Sequence, residues 1–295
     1  MSETEFIHLR PIEMKQALEF TASTTGFAPR FLEKDYWCSL ILRELYRVEC
    51  SLVFKGGTLL TKAFTGFDRL SEDLDFTLPT QVTDSRSVRS QRAKKVKGRF
   101  DQVAEDLDLT WIGDWVGHNN SKQYRGRLQY PSVLEETESV LVEVGQREAI
   151  LTQAVDTPLE TLLKEPLFQE PAVAKYTAKT LSLEEAYAEK LRAALTREPA
   201  AIRDLYDIWL AHRLGLLPNE NAEWLNLVQL KCKGLDLAQA LSISRVQAFK
   251  AGIKTELVPM LRSESIRTFH FERAVELLDT MLHDLLSIQQ PDIRP

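Results

Sequence analysis

One stretch limits what this chain can fold into more than any other. It is Phe54-Lys55-Gly56-Gly57-Thr58-Leu59-Leu60-Thr61-Lys62-Ala63-Phe64, followed by Arg69-Leu70-Ser71-Glu72-Asp73-Leu74-Asp75-Phe76. The apolar run Leu52-Val53-Phe54 reads as a strand, the two glycines as a turn, and the residues from Thr58 as a short helix. A polar loop over 66–72 leads to a second strand, in which Asp73, Asp75 and Thr77 alternate with Leu74, Phe76 and Leu78. The alternation puts two carboxylates on one face, about 7 Å apart along the chain. No cation stands between them in the motif, and like charges held side by side are unfavourable. A divalent cation removes the conflict, because hard cations such as Mg²⁺ take carboxylate and phosphate oxygens. Glycines supply the other half: without Cβ atoms, backbone N–H groups approach a phosphate closely, and a helix N-terminus behind them adds its positive end. A Gly-Gly pair alone is commonly just a turn, and Asp-x-Asp alone a solvated strand edge. In the order strand, Gly-Gly, helix, loop, strand they point together to phosphate and metal chemistry.

The 295 residues suffice for one large domain or two modest ones. With 44% hydrophobic and 27% charged residues the composition is that of a globular chain. The net charge of −6 gives no global attraction to nucleic acid, so any such binding needs a local basic patch. No run of apolar residues is long enough to span a membrane. The start, Met-Ser-Glu-Thr-Glu, lacks a signal pattern, which leads us to expect a cytoplasmic protein. Cys38, Cys50 and Cys232 have no metal-ligand spacing and read as buried thiols in a reducing compartment. No His-x-x-x-His pair is present to suggest zinc.

Residues 10–48 read as two helices, the first opened by Pro11 and the second running through Phe31 to Leu45. After the Asp-x-Asp strand comes a basic stretch, Arg86, Arg89, Arg92, Lys94, Lys95, Lys97 and Arg99, that continues as a helix through Leu107. Arg92, Lys95 and Arg99 share a helical face. With no acidic partner inside the stretch, we expect Arg86, Arg89, Arg92, Lys95 and Arg99 to form a positive surface beside the metal site, suited to a nucleic-acid backbone. Strands are expected over 109–113, 124–130 and 138–146. In the last, Val140, Val142 and Val144 face one way, Leu141 and Glu143 the other. A Glu in an apolar strand is costly unless it is paired, metal-bound or at a wet edge. Glu143 is thus either a carboxylate at a wet edge or a third carboxylate beside Asp73 and Asp75.

Pro158, Pro166 and Pro171 break a connecting region, and from Ser182 nearly everything reads as helix. The expected domains are therefore 1–160, an α/β (α+β) domain with N-terminal helices, and 161–295, a helical C-terminal domain that completes a cleft. Ser182-Leu183-Glu184-Glu185 is a capping box. The helix behind it carries Leu183, Tyr187, Leu191 and Ala194 on one side, with Lys190 in the middle of that apolar stripe. A lysine there either snorkels or meets an anion. As a packing stem alone it could become Met at no cost to stability. In the next helix, Asp204 and Asp207 share a face away from Ile202, Leu205 and Trp209, and Arg203 is spaced to pair with Asp207. Periodicity reads these as surface salt bridges. Phe269-His270-Phe271 and the run Leu277 to Leu286 read as packing surface.

The Gly-Gly-Thr turn, spacer and Asp-x-Asp resemble the signature of polymerase-β-type nucleotidyltransferases, with a spacer at the long end of that pattern. More narrowly, Lys55-Gly56-Gly57-Thr58 with Arg69 to Phe76 resembles the AbiEii family, the toxins of type IV toxin–antitoxin pairs, including the mycobacterial MenT group. Glu33-Lys34-Asp35-Tyr36-Trp37, Val142-Glu143-Val144 with Arg147-Glu148, Glu189-Lys190-Leu191-Arg192-Ala193 and Arg203-Asp204-Leu205-Tyr206-Asp207-Ile208 are similar to that family's other segments. The resemblance covers most of residues 31–210. It implies a Mg²⁺- or Mn²⁺-dependent nucleotidyltransferase with metal on Asp73, Asp75 and Glu143. Nucleotide phosphates would lie on Lys55, Gly56, Gly57, Thr58, Arg69 and Ser71. It further implies that Lys190 contacts the nucleotide and that one of Asp204 and Asp207 belongs to the site. An NTP, a pyrimidine NTP by preference, would donate to the 3′ end of tRNA, with an antitoxin of the AbiEi type as partner and no membrane. The alternatives are a protein or small-molecule acceptor, or an inert nucleotide-binding module.

Overall fold

A computed structural model of the chain describes residues 6–80, 84–118, 122–134, 137–146, 149–218 and 222–288. The chain divides into two compact units, Met1–Leu181 and Ser182–Pro295.

The first unit begins with two helices, α1 (Pro11–Thr25) and α2 (Pro29–Tyr46), each with proline at its first position. There proline costs nothing, because its missing N–H has no intrahelical acceptor. Strand β1 (Val53–Lys55) runs into helix α3 (Gly56–Leu59), which continues as a π-helical turn over Leu60–Phe64. The two glycines are thus the first residues of the helix, which starts two residues before the expected Thr58. Then come β2 (Asp73–Thr77), α4 (Arg86–Asp106), β3 (Thr110–Trp111), β4 (Val116–His118), β5 (Gln123–Tyr130), β6 (Glu138–Gly145), β7 (Val155–Leu159) and β8 (Tyr176–Thr180).

These strands form one mixed sheet in the order β3-β5-β6-β2-β1-β8-β7, with β4 also pairing β5. Central β2 runs antiparallel to β1 and parallel to β6. Its apolar side, Leu74 and Phe76, is fully buried. Phe76 meets Phe54 at 5.5 Å and Phe100 of α4 at 5.6 Å between ring centres, and Trp37 of α2 stacks on Tyr130 of β5 at 5.3 Å. Helices α2 and α4 therefore cover one face of the sheet, the face opposite Asp73 and Asp75.

Three strands were not anticipated. Strands β7 and β8 lie in the region expected to be connecting chain, so the first unit extends to Leu181. Pro158 obscured β7. A proline cannot donate to a ladder, but β7 ends the sheet and pairs with β8 alone, and an edge strand tolerates that loss. The third, β4, has three exposed residues and no alternation to reveal it.

The second unit is helical: α5 (Leu183–Thr196), α6 (Ile202–Arg213), α7 (Ala222–Lys231), α8 (Ile243–Gly252), α9 (Ser263–Thr268) and α10 (Phe271–Ser287). Ser182 caps α5, its hydroxyl accepting from the Glu185 N–H at 3.2 Å. The Glu185 carboxylate also takes the Lys231 ammonium at 2.5 Å, which fastens α7 to α5. Tyr187, Leu191, Ile202, Leu205, Tyr206, Phe249 and Leu278 form the core, and Phe269 joins it at 5.2 Å from the Tyr206 ring. The expected packing role of Phe269 and of α10 is thus observed.

Candidate functional site

The register of the sheet builds a row across four strands. Lys55 of β1 stands opposite Asp75 of β2, Asp75 beside Glu143 of β6, and Glu143 opposite Arg125 of β5. Register partners share a face, so all four side chains leave the sheet on the side away from α2 and α4. Strands lie about 4.8 Å apart, so the row spans about 14 Å. The next row holds Asp73, Leu141 and Arg127. Asp73, Asp75 and Glu143 are half-buried, whereas the intervening Leu74, Val142 and Val144 are buried. The Asp-x-Asp strand carries no cation of its own, but the register sets Lys55 directly across from Asp75.

The glycines fit tightly against this row. Gly56 has φ +81°, a conformation that costs any other residue strain, and a Cβ there would lie 2.9 Å from the Asp75 Cβ. At Gly57 a Cβ would meet the Arg69 Nη2 at 2.7 Å and the Ser71 Oγ at 3.0 Å. Asp75, Gly56, Gly57, Arg69 and Ser71 are therefore one neighbourhood, and the missing Cβ atoms let the three side chains lie against the turn. Arg69 is 3% exposed, and one of its nitrogens donates to the Leu70 carbonyl at 2.8 Å. Thr58 sits differently from its expected place on a phosphate. It is 2% exposed and its hydroxyl donates to the Asp73 carbonyl at 2.6 Å, which ties α3 to the start of β2.

Both oxygens of Glu143 are held from β5. Gln123 donates to its Oε1, and the Arg125 Nε donates to its Oε2 at 2.7 Å. Among the described residues no group of three or more His, Cys, Asp and Glu side chains converges to hold a metal. The expected three-carboxylate set is not assembled, because Arg125 and Gln123 draw the Glu143 carboxylate toward β5. Two carboxylates on one strand face, Asp73 and Asp75, are the pair that fits a cation whose remaining positions go to water and substrate. Arg147 and Glu148 lie outside the described residues.

The basic stretch is not beside the carboxylates. Ala93, Val96, Phe100 and Val103 of α4 are buried under the sheet's opposite face, so its cations lie behind the site. Their partners also come from outside the stretch. Arg92 pairs with Asp84 at 2.5 Å, Arg89 donates to the Asp84 carbonyl at 2.6 Å, and Arg99 donates to the Glu44 and Leu45 carbonyls that end α2. Arg86 and Lys95 are exposed. Lys97 lies over the Tyr124 ring at 4.4 Å, and burial lowers its pKa.

Within the second unit Lys190, Asp204 and Asp207 come together. The ammonium lies 2.9 Å from Asp204 Oδ1 and 3.0 Å from Asp207 Oδ2, and Arg197 reaches Asp204 Oδ2 at 3.1 Å. The anion that Lys190 meets in its apolar stripe is thus a pair of aspartates from α6. Both are buried, which corrects the reading of surface salt bridges. Arg203 does not take Asp207; it donates toward the Met260 sulfur at 3.7 Å.

Sequence reasoning missed Arg125 and Gln123. The alternation Gln123, Arg125, Arg127 against Tyr124, Gly126, Leu128 was a signal that both arginines share the face of a register partner on β6.

Comparison with known proteins bears on this geometry. The model of the nucleotidyl transferase AbiEii toxin family, type IV toxin–antitoxin system, matches residues 40–279. Comparison with curated proteins finds no match. Among solved structures the fold is similar to that of MenT4, a nucleotidyltransferase toxin from Mycobacterium tuberculosis H37Rv. The TM-score is 0.54 at 18% identity, over 94% of this chain and 90% of that one. Among the described residues no helix is long and apolar enough to cross a membrane.

Proposed function

Because the chain belongs to the AbiEii family of nucleotidyl transferase toxins, we propose that it transfers a nucleoside monophosphate from an NTP, a pyrimidine NTP by preference, to the 3′ end of tRNA, so that charging and translation stop. The observation that carries this reading is the row Lys55, Asp75, Glu143 and Arg125 with Gly56 packed against Asp75. Asp73 and Asp75 suit a Mg²⁺ or Mn²⁺ ion that keeps its other positions for water and phosphate oxygens. Bound there, the ion would supply charge compensation at the reacting phosphate. Gly56 against Asp75, and Gly57 against Arg69 and Ser71, bring the turn's backbone beside a guanidinium and a hydroxyl, groups that suit the donor phosphates. Lys55 adds positive charge beside Asp75. Glu143, oriented by Gln123 and Arg125, accepts the proton of the attacking hydroxyl. That oxygen bonds to the α-phosphorus as the bond to pyrophosphate breaks, and positioning with charge compensation suffices for such a transfer. In the helical unit, Lys190 is a cation held in place by Asp204 and Asp207, suited to a phosphate. The activity belongs in the cytoplasm, under the restraint of a cognate antitoxin of the AbiEi type.

The test is incubation with each of the four labelled NTPs, Mg²⁺, and either total tRNA or total cell protein. Label on tRNA, lost in Asp75→Ala with the fold retained, is the expected result. Label on protein would move the acceptor to a polypeptide. No label and no pyrophosphate with any acceptor would leave an inert nucleotide-binding module.

A further inference from the structure

Resting on the nucleotidyl-transfer reading, we infer that Arg125 and Arg127 of β5 form the acceptor side of the site and bind the phosphodiester backbone of an RNA strand. The order of the row is the argument. Gly56 and Gly57 lie at the β1 end against Asp75, and Arg125 lies at the β5 end beyond Glu143. In a displacement at phosphorus the attacking and leaving oxygens are roughly in line, on opposite sides of the reacting centre. With the donor's pyrophosphate over the glycines, the acceptor enters from the β6–β5 side. Whatever brings the hydroxyl in passes over the exposed arginines of β5.

Those arginines suit phosphate. The Arg125 side chain is 48% exposed, and its Nε contact to Glu143 leaves the rest of the guanidinium fork available. Arg127 is exposed two residues along the same strand face, about 7 Å away. Among the described residues its side chain makes no ion pair, so it has a charge to give. By contrast Arg89, Arg92 and Arg99 of α4 are committed to Asp84 and to the end of α2, on the far face of the sheet. Charge complementarity and continuity with the carboxylate row therefore both favour β5.

The experiment measures fluorescence anisotropy of a short labelled single-stranded RNA on the full chain over a salt series. The variants are Arg125→Gln with Arg127→Gln, and Arg92→Gln with Lys95→Gln on the far face. NTP binding in Mn²⁺ is followed by calorimetry on the same samples. The β5 pair is expected to weaken RNA binding about tenfold or more. It should also reduce the salt slope by about 1.4, two phosphate contacts at ~0.7 each. NTP binding should persist, and the α4 pair should leave RNA binding unchanged. Unchanged affinity and slope in the β5 pair, loss in the α4 pair instead, or loss of NTP binding in the β5 pair would each overturn this inference alone. A wild-type protein that binds NTP and no RNA would overturn it together with the tRNA acceptor.

Discussion

The Thr58 hydroxyl donates to the main-chain carbonyl of Asp73 over 2.6 Å, joining the helix after the glycines to the first carboxylate of the pair. The bond is half-buried, with Thr58 itself 2% exposed. Thr58→Val keeps the shape and removes the donor, which leaves the Asp73 carbonyl without that bond, a loss of about 1–3 kcal/mol. The melting temperature should fall and transfer should fall with it, while Thr58→Ser should retain most of both. A Thr58→Val protein as stable as wild type but inactive would return Thr58 to a phosphate contact.

The two glycines should fail in different ways. Gly56→Ala places a Cβ against Asp75 at φ +81°, where a left-handed backbone alone costs an L-residue about 1–2 kcal/mol. Stability and activity should drop together. Gly57→Ala meets only the far ends of Arg69 and Ser71, which can shift. Its melting temperature should stay near wild type while nucleotide affinity falls. Calorimetric NTP titration beside thermal melting separates the two, and undiminished NTP binding in Gly57→Ala would remove the phosphates from this turn.

Local order was legible in the sequence wherever one segment decided it. The alternation in β2, the proline starts of α1 and α2, and the Ser182 cap needed nothing beyond their own neighbourhoods. What escaped depends on pairing between distant segments. Arg125 meets Glu143 through an antiparallel register with β6 that no local pattern states. Lys55 reaches Asp75 through the β1–β2 pairing. The burial of Asp204 and Asp207 follows from Lys190 on another helix. Arg99 reads as one more surface cation until the end of α2 is placed against it.

Acid stability should carry the mark of His8. Its ring accepts or donates at 2.8 Å with the Tyr36 hydroxyl and lies 4.4 Å from the Trp37 ring. Burial lowers its pKa to about 4, against a smaller opposing pull from Asp108. The unfolded chain, with an ordinary histidine near 6.5, binds a proton that the fold does not. His8 therefore favours the fold fully above about pH 6.5, and that contribution is lost as pH falls toward 4. Between pH 6.5 and 5, above most carboxylate titrations, the melting temperature of wild type should fall more than that of His8→Gln. Equal slopes would remove His8 as the cause.

Lys190 gives the sharpest reversal between periodicity and packing. As a stem in an apolar stripe it could become Met without loss. In the structure its ammonium is shared by Asp204 and Asp207 at 2.9 and 3.0 Å, with its side chain 12% exposed and theirs 2% and 5%. Removing one partner of a buried ion pair leaves charge that the interior solvates poorly, at a cost of about 3–5 kcal/mol. Lys190→Met should therefore lower the melting temperature markedly. Adding Asp207→Asn should recover part of the loss, because the amide carries no charge to strand. Arg197→Gln should cost little, since that arginine is 54% exposed and solvent screens its pull on Asp204. Thermal melts of the four proteins decide the matter. If Lys190→Met is as stable as wild type, the pair contributes nothing to the fold. If the double variant recovers stability and a transfer assay still finds no activity, Lys190 or Asp207 has a task beyond holding α5 to α6.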